Sequence, residues 1–95
     1  MIIALGNDHA GFSLKKDVIN YLNEMNIDVI DCGSNDPNPV DFPDIAQKVC
    51  NQVLNGKANR GLMVCGTGVG ASIAANKIPG IRAAVCHDVY SAHQC

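Results

Sequence analysis

The fold of this chain is decided around residues 64–72, which read Val64-Cys65-Gly66-Thr67-Gly68-Val69-Gly70-Ala71-Ser72. An apolar run stops at a cysteine, three glycines follow within five residues, and a helix-like segment then begins. This order predicts a strand, a tight glycine turn and a helix, with one thiol beside backbone N–H groups at the helix N-terminus. Such a place binds anions and lowers the pKa of a thiol.

Strand-like and helix-like segments alternate outward from this stretch. Apolar runs predict strands over 2–6, 27–31, 61–65 and 81–85, and helical spacing predicts helices over 11–25, 44–54, 69–77 and 87–95. Residues 34–43 are rich in Pro, Asn and Asp and predict a loop, and Asp44 is the expected cap of the helix that follows. Lys15 is assigned to the polar face of the first helix. The alternation predicts one α/β domain over residues 1–95, with a parallel sheet covered on both faces and truncated after its fourth strand.

Composition excludes several classes of partner. The chain has 95 residues, is 47% hydrophobic and carries a net charge of −2, and its seven Lys and Arg residues are scattered, so we expect no nucleic-acid partner. Its apolar runs are too short to span a membrane, and its first residues lack a signal-peptide pattern. Five cysteines without a C-x-x-C pair predict reduced thiols in the cytoplasm rather than a disulfide framework or a zinc site.

A second polar signal follows the first strand, at Asn7-Asp8-His9. In the flavodoxin-like strand order 2-1-3-4, strands 1 and 3 are neighbours, and ligands bind at their carboxyl ends. Asp8 and His9 are then expected to meet Cys65 in one crevice. His9 is a candidate to bind a phosphate or polarise a carbonyl, and Asp8 to orient a hydroxyl.

Cys65 is the candidate nucleophile or base of this crevice. A helix N-terminus is expected to lower the pKa of its thiol by roughly one unit. The glycines 66, 68 and 70 let backbone amides approach an anion. The pattern Gly66-x-Gly68-x-x-Ala71, with Asp88 beyond it, also matches a loose dinucleotide fingerprint, whereas a Walker A loop is excluded because Ala71 follows Gly70.

Three stretches together resemble the type B ribose-5-phosphate isomerases, a family that also includes galactose-6-phosphate isomerase subunits. They are Gly6-Asn7-Asp8-His9-Ala10-Gly11-Phe12, Asp41-Phe42-Pro43-Asp44, and Cys65 to Gly70 with Ser72-Ile73-Ala74-Ala75-Asn76-Lys77. The resemblance spans residues 1–95. It implies a Rossmann-like three-layer α/β/α sandwich, and interconversion of an aldose phosphate and a ketose phosphate through an enediolate, with neither metal nor cofactor.

The same resemblance assigns residue roles. Cys65 matches the base, Asp8 and His9 match positions that contact substrate, and Gly66, Thr67, Gly68, Val69 and Gly70 match the amide cradle of the oxyanion. It further implies a homodimer or a dimer of dimers. Family members continue beyond the segment matched here, and the ring-opening His and the phosphate-holding Arg residues lie in that later part. We therefore expect this chain alone to show little or no activity.

Several alternatives stay open from the sequence. Ribose 5-phosphate is favoured over galactose 6-phosphate and allose 6-phosphate as the substrate. A non-catalytic module that binds a nucleotide or another anion is the second class of function. A thiol redox protein is a weaker third, because a resolving C-x-x-C cysteine is missing.

Overall fold

Three parallel strands form the sheet, in the order β2-β1-β3. The structure is a computed structural model that describes residues 1–33 and 41–95. Its elements in chain order are β1 (Ile2–Asn7), α1 (Phe12–Glu24), β2 (Asp28–Asp31), α2 (Phe42–Leu54), β3 (Arg60–Val64), α3 (Val69–Asn76) and α4 (Val89–Gln94). This confirms the predicted parallel α/β fold and the central position of β1.

The core lies between the sheet and α2. Ala4 of β1 and Val49 of α2 are buried there. At Gly6 a Cβ atom would come within 2.7 Å of both Ile45 and Val49, so the helix lies directly on the strand. Because side chains alternate along a strand, the fully buried Leu5 points to the opposite face, which α1 covers. The layers are therefore helix, sheet and helix.

The predicted fourth strand is wrong. Residues 81–87 join no strand of the sheet in the part of the chain that the structure describes. Ala83 donates its backbone N–H to the side-chain oxygen of Asn76 and accepts from the amide nitrogen of the same side chain, each at 2.8 Å. Both polar groups of Ala83 are thus bonded to α3, and the segment runs beside that helix without a ladder to β3.

Two local predictions are also corrected. Asp44 does not cap α2, because the helix begins two residues earlier, at Phe42, with Asp41 as its N-cap residue. Pro43 fits the first turn, where a backbone N–H is not needed. Lys15 is buried rather than exposed, and its Nζ forms a 2.9 Å ion pair with Asp31 at the end of β2. The predicted loop over 34–40 lies outside the described residues.

Candidate active site at the carboxyl ends of strands 1 and 3

The site forms where two neighbouring parallel strands end. Asn7 of β1 is paired with Val64 of β3, so the residues that follow each strand emerge side by side. The Cys65 thiol donates to Asp8 Oδ2 over 3.2 Å, across 57 positions of sequence. The predicted meeting of Asp8 and Cys65 is therefore confirmed, and its cause is the strand order.

Asp8 is held rigidly by the turn between β1 and α1. Its side chain is buried, with 8% of the residue exposed, and Oδ1 accepts the Gly11 backbone N–H at 2.8 Å. Burial raises the pKa of the Asp8 carboxyl, but hydrogen bonds from Cys65 and from the backbone of Gly11 and Gly66 outweigh burial and leave the pKa below its ordinary value. Asp8 is thus a carboxylate at neutral pH.

The expected lowering of the Cys65 pKa is wrong. Burial raises the pKa of the thiol, and the hydrogen bond to the Asp8 carboxylate raises it further. The N–H groups of Gly68 and Gly66 act in the opposite direction without reversing the shift. A negative charge next to the sulfur disfavours a thiolate, so Asp8 dominates over the helix N-terminus. Cys65 is therefore a thiol at rest, with a carboxylate placed to accept its proton.

The glycine turn brings main-chain N–H groups to this pair. Gly68 has a φ of +77°, a conformation that suits glycine, and it is the N-cap residue of α3. The N–H groups of Gly68 and Gly66 each act to lower the pKa of the Cys65 thiol. Thr67 Oγ1 accepts the N–H of Val69 at 3.3 Å. No backbone carbonyl in the described ranges accepts from the N–H of Gly70, as expected in the first turn of a helix.

An aromatic side chain covers the same turn. A Cβ at Gly70 would come within 2.6 Å of Phe42 Cζ, so the ring of this residue lies against α3 at its first turn. Phe42 is 36% exposed, which leaves part of the ring facing solvent. Phe42 lies in α2 and Gly70 lies in α3, so the sequence alone did not predict this contact.

The histidines differ in their relation to the pair. His9 is exposed directly after Asp8, and its charge helps to lower the Asp8 pKa. The imidazole of His87 is 76% exposed, and Nε2 lies 3.3 Å from Asp88 Oδ2. Asp88 itself caps α4, because its side chain accepts the Ser91 N–H at 2.7 Å. Of the three histidines, the structure therefore places His9 beside the Asp8–Cys65 pair.

A groove opens beside the thiol. It has a volume of about 970 Å³ and is lined by β3, by the glycine turn including Cys65, by residues 80–87 and by side chains of the helices, whereas Asp8 and His9 are not among its lining residues. Residues 1–33 and 41–95 contain neither a helix that could cross a bilayer nor three His, Cys, Asp or Glu side chains arranged to hold a metal ion. A small molecule in the groove would thus meet Cys65 and main-chain amides.

Comparisons with known proteins agree with this geometry. The family profile described as Ribose/Galactose Isomerase matches residues 3–95. The chain is similar to "Ribose-5-P isomerase B" of Listeria innocua, with 49% identity over 99% of this chain and 64% of that protein. It is also similar to "Ribose-5-phosphate isomerase B" of Escherichia coli, with 48% identity over 95% of this chain and 60% of that protein.

A solved structure gives the same result for the fold. The solved structure of ribose-5-phosphate isomerase B from Clostridium thermocellum superimposes with a TM-score of 0.93 at 48% identity, over 97% of this chain and 62% of that chain. The chain therefore spans less than two thirds of the length of these relatives. Together with the Asp8–Cys65 pair at the switch point of the sheet, these matches show that the chain belongs to the ribose/galactose isomerase family.

Proposed function

We propose that the protein containing this chain interconverts an aldose phosphate and a ketose phosphate, with ribose 5-phosphate and ribulose 5-phosphate as the favoured pair. The observation that carries the proposal is the 3.2 Å hydrogen bond from the Cys65 thiol to the Asp8 carboxylate, beside a glycine turn, in a member of this family. An aldose–ketose interconversion moves one proton between two adjacent carbons, and it needs a base and donors for the oxygen that becomes negative.

Cys65 supplies the base in this proposal. The thiol proton first passes to Asp8, which leaves a thiolate. The thiolate takes the proton from C2 of the open-chain aldose, and the C2–H electron pair forms the C1–C2 double bond while the π electrons of the C1 carbonyl move onto O1. O1 then gains the proton that the O2 hydroxyl loses, C2 becomes the carbonyl carbon, and the same sulfur returns its proton to C1. Asp8 is placed for the first step because it is ionised at neutral pH and accepts the hydrogen bond of the thiol, although its lowered pKa and the raised pKa of the thiol make this transfer energetically uphill.

The main-chain N–H groups of the glycine turn supply the charge stabilisation in this proposal. The proposed donors to the enediolate oxygens are the N–H groups of Gly66, Thr67, Gly68, Val69 and Gly70. One well-placed donor of this kind is worth about 3–4 kcal/mol of barrier. His9 is proposed to contact the phosphate or the sugar, because it is exposed next to Asp8. No metal ion or organic cofactor takes part in the proposed reaction.

A non-catalytic nucleotide-binding module is the less favoured function. The dinucleotide fingerprint requires an acidic residue that is available to a ribose hydroxyl. Asp88, the candidate for that role, instead accepts the Ser91 N–H and forms the N-cap of α4. Galactose 6-phosphate and allose 6-phosphate remain alternative substrates, and the family description itself includes galactose.

The proposed partner, besides the sugar phosphate, is a second copy of the chain, and the proposed compartment is the cytoplasm. Apolar side chains exposed on α3 and α4 support a protein interface: Val69 and Ile73 are each 55% exposed, and Tyr90 is 69% exposed. Sedimentation equilibrium tests the dimer, and a monomer at micromolar concentration would contradict it. The free cysteines agree with a reducing compartment.

The test of the function follows proton exchange in heavy water. The full gene product containing this chain is incubated with ribose 5-phosphate in D2O, and NMR measures the loss of the C2 proton together with the appearance of ribulose 5-phosphate. Cys65→Ala is expected to abolish both signals, whereas Cys32→Ala, the matched change at a half-buried cysteine that does not line the groove, is expected to leave them intact. Equal exchange in the wild-type and Cys65→Ala proteins would refute the role of Cys65. Galactose 6-phosphate and allose 6-phosphate in parallel samples decide the substrate.

A further inference from the structure

Asn7, the last residue of β1, is a buried amide that is bonded to the backbone of the next residue. It is fully buried, like Leu5 on the same face of the strand. Its side-chain Nδ2 donates to the backbone carbonyl oxygen of Asp8 at 3.0 Å. Within residues 1–33 and 41–95, its Oδ1 has no hydrogen-bond partner. An apolar side chain of similar size would avoid that unpaired oxygen, so the bond to Asp8 is what distinguishes an amide at this position.

The backbone carbonyl and the carboxylate of Asp8 share one donor. The backbone nitrogen of Gly11 lies 2.8 Å from Asp8 Oδ1 and 3.2 Å from the Asp8 carbonyl oxygen. Asn7 gives that carbonyl a donor of its own, at the shorter distance of 3.0 Å. Because a buried carbonyl needs a partner, loss of the amide would draw the Gly11 N–H toward the carbonyl. Asn7 therefore leaves this N–H to the carboxylate.

The carboxylate carries the effect to the sulfur. Its Oδ1 is anchored by the Gly11 N–H, and its Oδ2 accepts the Cys65 thiol at 3.2 Å. Both oxygens belong to one planar group, so a shift of Oδ1 also displaces Oδ2 from the thiol. Asn7 itself does not line the groove, and a molecule bound there would not touch it.

From these contacts we infer that Asn7 is a positioning residue for the pair formed by Asp8 and Cys65. It satisfies the Asp8 carbonyl and so keeps the Gly11 N–H on the carboxylate that receives the thiol. Where turnover is concerned, the inference rests on the proposed function. The state of the Cys65 thiol can be measured without any substrate.

The experiment measures the pH dependence of iodoacetamide alkylation at Cys65 in the full gene product. Trypsin releases residues 61–77 as a peptide with one cysteine, so mass spectrometry follows this thiol alone. Asn7→Leu replaces the amide with an apolar side chain of similar size, and Asn7→Ala is a smaller variant that fits the same space. Leu5→Val is the matched control, because it changes a fully buried side chain on the same face of β1 and removes no hydrogen bond of Asp8.

In both Asn7 variants the midpoint of alkylation should move downward by about half a pH unit, because a displaced carboxylate raises the pKa of the thiol less. The alkylation rate near neutral pH should then rise about threefold. Leu5→Val should lower the melting temperature and leave the midpoint in place. Adding Asn7→Leu to Asp8→Asn should give no further shift, since the amide acts through the carboxylate that Asp8→Asn removes.

An unchanged or higher midpoint in the Asn7 variants, an equal shift in Leu5→Val, or additive shifts in the double variant would overturn the inference. If Asn7→Leu does not fold, Asn7→Ala carries the test. With ribose 5-phosphate, kcat should fall in both variants while KM changes little. A lowered midpoint in a protein that never isomerises sugar phosphates would contradict the proposed function and leave the positioning role intact. An active isomerase whose midpoint does not move in the Asn7 variants would contradict the positioning role alone.

Discussion

Replacing Asp8 with Asn should make Cys65 a stronger acid and the protein a poorer catalyst. The change keeps the size of the side chain and an oxygen that can accept the Gly11 N–H, so the turn after β1 is retained. It removes the negative charge that lies 3.2 Å from the sulfur. The thiolate of Cys65 then no longer faces a carboxylate.

The magnitude follows from that distance. Two unit charges 3.2 Å apart repel by about 1 kcal/mol at the dielectric constant of water and by about 5 kcal/mol at an effective value of 20. One pKa unit corresponds to about 1.4 kcal/mol. Because Cys65 borders the open groove, we expect the lower part of this range, a fall of about 1–2 units in the thiol pKa.

The assay is the pH dependence of Cys65 alkylation, read on the peptide of residues 61–77. Asp17→Asn is the control, because it makes the same chemical change at an exposed position of α1. Isomerase turnover of the full gene product should fall in Asp8→Asn although its thiol is more reactive, since the group that accepts the thiol proton is gone. A thiol pKa that stays the same or rises would refute the electrostatic reasoning.

Three further predictions concern stability. Lys15→Met should lower the free energy of unfolding by about 1–3 kcal/mol, because it leaves the carboxylate at the end of β2 without its partner, while the exposed Lys16→Met should change it by less than about 0.5 kcal/mol in the same urea titration. Stability should fall as the pH drops below about 4, since the carboxyl of Asp8 has a lower pKa folded than unfolded and binds its proton more readily in the unfolded chain; Asp8→Asn should flatten this acid limb, and an unchanged limb would contradict the assignment. Gly11→Ala should lower the melting temperature by several degrees, because the new Cβ would overlap the backbone carbonyl of Val64, which cannot move away without breaking the strand; an unchanged melting temperature would show that the turn adapts.

Local sequence signals predicted the elements that depend on neighbouring residues. The apolar run before Cys65 and the glycines after it specified a strand, a turn and a helix, and the structure has β3 and α3 there. The alternation of strands and helices specified a parallel sheet, and its order placed β1 beside β3. The sequence could therefore pair Asp8 with Cys65, because a topological rule connects the ends of neighbouring parallel strands.

Other features depended on contacts that no local pattern encodes. Residues 81–85 are as apolar as a strand, yet Asn76 holds the backbone of Ala83 and the segment stays outside the sheet. Lys15 has the sequence environment of a surface residue, but it is buried because Asp31 ends the next strand within reach of its ammonium group.

The sequence by itself determined the family and the order of the elements from β1 to α3, and it proposed Cys65 as the reacting sulfur, because those inferences depend on residue type and spacing. Only the tertiary structure decided the protonation of that sulfur. The local pattern placed Cys65 at a helix N-terminus and indicated a more acidic thiol, whereas the fold brought the carboxylate of Asp8 to 3.2 Å and made the thiol less acidic. A nearby full charge and partial burial outweigh the partial charge of a helix end, and both depend on which strands are neighbours.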